Sequence, residues 1–119
     1  ARAGAAGAMD LQIEERGTVT VVRGSGDINA ATCARLEETL VALIEQGRNR
    51  LVLDLAGVRY VSSAGLRVFL VVAKRLAGKG GFALSRATDP VRQVLDMTGF
   101  SGIIRVEAGL DEAVGAVAG

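Results

Sequence analysis

The stretch Leu51–Leu70, LVLDLAGVRYVSSAGLRVFL, begins as one kind of element and ends as another. Arg50–Leu55 is apolar on successive positions, as expected of a central strand covered on both faces. From about Ala64 to Ala77 the pattern predicts a helix. Two adjacent hydroxyls, Ser62 and Ser63, stand at the join. A strand feeding a helix through a short turn is the repeating unit of an α/β fold.

Working outward, the same alternation continues. Leu11–Glu14 and Thr18–Arg23 are strand-like runs around Gly17, and β-branched residues crowd the second. Gly24 to Gly26 break that pattern. Asn29 is placed to cap a helix running to about Gln46, with Gly47 beyond it. Leu36, Leu40, Leu43 and Ile44 form its apolar face. After the central unit, Gly78–Gly81 reads as a turn and Phe82–Ser85 as a strand. Asp89 as N-cap with Pro90 in the first turn opens a helix ending near Thr98. Ile103–Val106 is a last strand and Asp111–Val117 a last helix. The predicted order is β-β-α-β-α-β-α-β-α. It implies an α/β domain with a single mixed, mostly parallel sheet of about five strands, the first two paired as a hairpin. The helices are expected mainly on one side.

Residues 1–8, ARAGAAGA, read as a disordered lead or an expression remnant; the domain is expected over 9–119, with Met9 as a native start. Half the residues are hydrophobic and only 3% aromatic, so the core must be aliphatic. Fourteen basic residues against 13 acidic ones leave no basic excess for nucleic acid or an anionic membrane. No apolar run approaches the roughly 18 residues needed to span a bilayer. The cytoplasm is the expected location. The lone Cys33 suits a reducing compartment and reads as a small packed residue.

The chain has no histidine, which removes the usual general base and the usual zinc ligand. Ser62-Ser63 lacks the G-x-S-x-G elbow of hydrolases. Gly78-Lys79 follows a helix and precedes a strand, the reverse of a phosphate-cradling loop. Gly24-Ser25-Gly26 has Asn29 where a dinucleotide fingerprint needs its third glycine. Asp27, Asp54, Asp89 and Asp96 lack metal-loop spacing. The sequence thus predicts no enzyme, no catalytic residue, no metal and no cofactor.

The serines admit two readings. A serine hydroxyl is a preferred helix N-cap, worth about 1 kcal/mol. One cap suffices, however, and a second hydroxyl at the carboxyl end of a strand lies where function gathers in α/β sheets. A phosphate there adds about −1.5 to −2 charges at the positive end of a helix, which the fold tolerates. An apolar partner surface does not tolerate it.

Leu51 to Val68 also resembles the signature of the anti-sigma factor antagonists, the stand-alone STAS domains. Gly26-Asp27-Ile28-Asn29 is similar to that family's G-E/D-L/I-D/N turn before its first helix. Leu95–Phe100, LDMTGF, resembles its late helix end, and Leu110–Val114 the start of its closing helix. The resemblance implies a cytoplasmic bacterial regulator of transcription that works by partner switching. Unphosphorylated, it would bind an anti-sigma factor that is also a serine kinase of the GHKL ATPase type, and so free the kinase's target. Phosphorylated, it would let go, and a serine phosphatase would reset it.

Aligning Gly65 and Leu66 on the family's D-S-S/T-G-L puts Ser63 at the phosphoacceptor, Ser62 at the aspartate and Ala64 next. Ser62 is the second choice of acceptor. Asp27, Asn29, Ser62, Ala64, Gly65, Leu66 and Arg67 are the residues expected to meet the partner. Alternatives are a non-switching STAS scaffold, such as a subunit of a lipid-transport ATPase complex, or a partner-switching regulator with no sigma factor. A small enzyme or nucleotide-binding protein is a third.

Overall fold

The computed structural model describes residues 9–118, so the expectation for residues 1–8 lies outside the described residues. Five strands form one sheet in sequence order: β1 (Asp10–Arg16), β2 (Val19–Ser25), β3 (Arg50–Gly57), β4 (Gly81–Ser85) and β5 (Arg105–Glu107). The β1–β2 pair is an antiparallel hairpin and every other pairing is parallel. Four helices connect or follow the strands: α1 (Cys33–Glu45), α2 (Ser63–Leu76), α3 (Asp89–Met97) and α4 (Leu110–Val117).

Strand order moves steadily one way from β2 to β5. Crossovers of a single hand must then stack on a single face, and α1, α2 and α3 do. Leu36, Leu40, Phe69, Val72, Val91 and Leu95 from these helices pack on Val22, Leu51, Leu53, Leu55 and Leu84 of the sheet. The opposite face carries a smaller cluster, Val19, Val21, Val52 and Ala83, covered by Ala113 and Val117 of α4. The central strand is β3. Leu51 through Leu55 are all buried, as its unbroken apolar run predicts, yet one of them is Asp54.

Asp54 belongs to a polar row one pleat beyond the α4 cluster. Gln12, Arg23, Asp54, Ser85 and Glu107 lie side by side, one from each strand. Asp54 is 2% exposed, and its carboxylate is buried with it. It accepts hydrogen bonds from Ser85 Oγ at 3.0 Å, Arg86 Nε at 3.0 Å and Arg86 Nη2 at 2.5 Å. Burial alone would raise its pKa. The hydrogen bonds from Arg86 and Ser85, with the charges of Arg86 and Arg23, outweigh that and hold it below the usual value. Arg86 sits in the left-handed region (φ 54°), a strained place for a residue with a Cβ. The two-pronged grip on Asp54, and its own N–H donated to Glu107 O at 3.1 Å, keep it there.

Three helix starts depart from expectation. Asn29 does not cap α1; the helix begins at Cys33 behind Thr32. Asn29 Oδ1 instead accepts from the amides of Ala31 (2.9 Å) and Thr32 (3.1 Å), closing one turn ahead of the helix. The α3 N-cap is Thr88, with Asp89 inside the helix. Thr88 donates its hydroxyl to Val58 O at 2.6 Å, so tertiary bonding has taken the cap's side chain. Ser63 is already helical, one residue before the expected Ala64.

The Asp54–Arg86 pair predicts a pH dependence. The folded pKa of Asp54 lies below its unfolded one, so this stabilisation is complete above the ordinary carboxylate range and is lost as pH falls through the folded value. Urea unfolding from about pH 7 to about pH 3 will show a shallower acid loss for Asp54→Asn than for the parent. At neutral pH, Arg86→Ala strands a buried carboxylate. It will cost about 1–3 kcal/mol, below the figure for fully buried pairs because Arg86 is partly solvated. Arg86→Gly will cost about 1 kcal/mol less than Arg86→Ala, since glycine relieves the positive φ.

Candidate functional site

The two loops that the sequence singled out are joined by backbone bonds. Gly26 N–H donates to Gly57 O at 3.0 Å and Ile28 N–H to Tyr60 O at 2.9 Å. Ser62 N–H returns to Ile28 O at 2.8 Å. Ile28 and Val61 thereby form a one-rung parallel bridge beyond the ends of β2 and β3. Ile28 and Val61 are both buried. The Gly26–Asn29 turn is held against the entrance of α2.

The first turn of α2 rests on this bridge, and Gly65 makes that possible. A Cβ at Gly65 would stand 2.5 Å from Ile28 Cγ2 and 2.8 Å from Val61 Cγ2. No side chain fits there, so the glycine of S-S-A-G-L is a packing requirement.

The two serines divide the work. Ser62 is the N-cap, extended (φ −85°, ψ 171°), and its Oγ accepts from Gly65 N–H at 3.1 Å. Its carbonyl accepts from Leu66 N–H at 2.9 Å. Ser63 is the first helical residue and is exposed. Its hydroxyl makes no hydrogen bond among the described residues, and the amides of Ser63 and Ala64 meet no acceptor there either. The first turn of α2 holds no acidic residue, while Lys74 and Arg75 stand in its last turn. The positive end of the helix dipole is therefore unopposed at Ser63.

The remaining expected contact residues separate by burial. Asp27 and Arg67 are exposed, and Asn29 and Ala64 are half-buried. Gly65 and Leu66 are buried. Gly65 packs on the Ile28–Val61 bridge and Leu66 joins the core cluster, so both support the site from beneath. Arg67 makes no ion pair among the described residues. Tyr60, half exposed, and Arg59 adjoin the serines on the same loop. The sequence reading passed over Tyr60; its signal was that the chain's one tyrosine precedes the serines by two positions. No group of acidic or thiol side chains among the described residues is arranged to hold a metal ion. No helix of the described residues is long and apolar enough to cross a membrane.

A small mixed-sheet α/β domain that presents a bare hydroxyl beside a capped helix start is the class of protein these features define. The chain belongs to the STAS domain family, whose model matches residues 10–113. It is 36% identical over 109 residues to BtrV of Bordetella bronchiseptica, named as an anti-sigma factor antagonist, covering 91% of this chain and 94% of that one. The crystal structure of an anti-sigma factor antagonist from Mycobacterium paratuberculosis superposes with a TM-score of 0.87 at 29% identity, over 95% of this chain and 97% of that one. Unphosphorylated SpoIIAA shares the fold, with a TM-score of 0.77 at 20% identity, over 91% of this chain and 96% of that one.

Gly65→Ala will force Ile28 or Val61 aside and cost about 1–3 kcal/mol. Gly115→Ala, in open space on α4, will instead stabilise by up to about 1 kcal/mol. Ser62→Ala will cost about 1 kcal/mol and Ser62→Asp nothing, because aspartate caps equally well and complements the dipole. Thermal or urea unfolding of the four variants checks the series.

Proposed function

We propose that this chain is an anti-sigma factor antagonist switched by phosphate on Ser63. Unphosphorylated, it binds an anti-sigma factor that is also a serine kinase of the GHKL ATPase type, and so frees that factor's target. Phosphorylation of Ser63 by the bound kinase ends the complex, and a serine phosphatase restores it. The protein acts as a binding module and substrate, in the cytoplasm, and itself catalyses nothing.

The observation that carries this reading is the division between the serines. Ser62 Oγ is committed to the Gly65 amide, while Ser63 Oγ is exposed and unengaged. A kinase needs a hydroxyl it can reach and rotate, and Ser63 supplies one. The relatives support it by name: BtrV, named as an anti-sigma factor antagonist, is 36% identical over nearly the whole chain. SpoIIAA, of the same fold, exists in unphosphorylated and phosphorylated forms.

The chemistry also favours a switch that leaves the fold standing. The phosphate arrives beside the free amides of the first turn and the positive helix end, where anions are stabilised. The neutral Ser62, in place of the family's aspartate, adds no repulsion. Arg67, one turn along α2, is available to pair with it. At the interface the same charge must be buried, which costs several kcal/mol if it stays unpaired. Asp27, Asn29, Ala64 and Arg67, with Ser62 and Ser63, form the accessible rim of the docking surface. Gly65 and Leu66 shape it from below.

The test is labelling with ATP and the cognate kinase, followed by site mapping. One phosphate is expected, on Ser63. Ser63→Ala will abolish labelling without loss of fold, and Ser63→Asp will weaken kinase binding by about 100-fold with little change in melting. Persistent labelling of Ser63→Ala, or undiminished binding of Ser63→Asp, overturns the reading.

A further inference from the structure

The outer edge of β1 is the longer of the sheet's two open edges among the described residues. Among the described residues β1 is a terminal strand of the sheet, seven residues long. The opposite edge, β5, has three. The β1–β2 turn has two residues, with Arg16 opposite Val19. The residues flanking such a turn form a hydrogen-bonded pair, and such pairs alternate along the hairpin. Asp10, Gln12, Glu14 and Arg16 therefore spend their backbone groups on β2. The N–H and C=O groups of Leu11, Ile13 and Glu15 point off the sheet. At the middle of this edge Ile13 is 51% exposed, one of few large apolar side chains left in solvent.

We propose that this edge pairs with the same edge of a second copy of the chain, antiparallel about a two-fold axis at Ile13. In that register Ile13 meets Ile13 of the second copy, and Leu11 meets Glu15. All of these are outward-bonding residues, so each pair exchanges both backbone hydrogen bonds. On the other face Asp10 meets Arg16 and Gln12 meets Glu14. Every polar pair is complementary and no like charges oppose each other. Sliding two residues one way sets Asp10 against Glu14. Sliding two the other way sets Glu14 against itself. Slides of one residue put inward-bonding groups on the seam.

Glu14 and Glu15 do not forbid the approach, because both are already matched within their own chain. Glu14 pairs with Arg16 at 2.7 Å and Arg23 at 3.0 Å, and Glu15 pairs with Arg48. Charged edge strands commonly serve to block pairing. Here the order of the charges selects one register of self-pairing. The inference does not rest on the Ser63 switch.

Sedimentation equilibrium of the full chain, from micromolar to about 1 mM, tests it. The mass is expected to rise with concentration from 12.3 kDa toward twice that value. Ile13→Pro removes an outward donor that β2 does not use, so the fold will survive, checked by circular dichroism, and the dimer will weaken at least tenfold. Asp10→Arg will weaken it by setting arginine against Arg16. Adding Arg16→Asp to Asp10→Arg will restore association. A mass fixed at 12.3 kDa throughout overturns the proposal. So does a dimer indifferent to Ile13→Pro, or a double exchange no tighter than Asp10→Arg alone.

Discussion

The close approach of α2 to the Ile28–Val61 bridge is the contact on which the site depends. A glycine at 65 lets the helix start press onto two β-branched side chains. The bridge in turn ties the turn after β2 to the loop after β3. Ser62 can then cap the helix while Ser63 is turned outward. Loosening any one of these elements changes where the hydroxyl stands. The site is thus specified by apolar packing and backbone pairing beneath it, and only its last atom is chemical.

This explains why the S-S-A-G-L stretch reads so densely. Its glycine is steric, its leucine is core, its first serine is a cap and its second is free. Four of its five letters carry four separate constraints. The cap serine also shows how one position can change residue type and keep its job. Serine and aspartate both offer an oxygen to the third amide of the helix, so the family's aspartate can be exchanged without disturbing the turn. What changes is charge, and a neutral residue beside Ser63 leaves more room for a negative group.

Most of the architecture was legible in the sequence because period and punctuation agree. The apolar run at Leu51–Leu55, the glycines after α1 and α2, and the Asp-Pro pair near α3 all mark elements that the fold contains. What was not legible has a common cause. Asn29 and Asp89 look like helix caps, but Asn29 spends its side chain on an earlier turn, and Asp89 lies inside α3 behind Thr88, whose hydroxyl goes to the Val58 carbonyl. Asp54 was weighed only as a metal ligand. Its partner Arg86 lies on the next strand's exit, 32 positions away, and no local pattern announces the pair. The burial of Gly65 and Leu66 is likewise tertiary: motif membership does not say which letters face outward.

The uneven covering of the sheet has a consequence for how the chain acquires its shape. Three helices cover one face as they are made, each returning directly to the next strand. The valines of the other face wait for α4, which lies at positions 110–117. During synthesis that surface stays bare until α4 has emerged, after the four longer strands. The four strand residues there, Val19, Val21, Val52 and Ala83, form a small cluster with Ala113 and Val117 of α4, which limits both the stickiness of the waiting surface and the strength of the latch that closes it. In the finished protein α4 is held over that cluster at both ends, with Arg16 paired to Asp111 at 3.0 Å and Arg50 Nη1 donating to Val117 O at 3.2 Å.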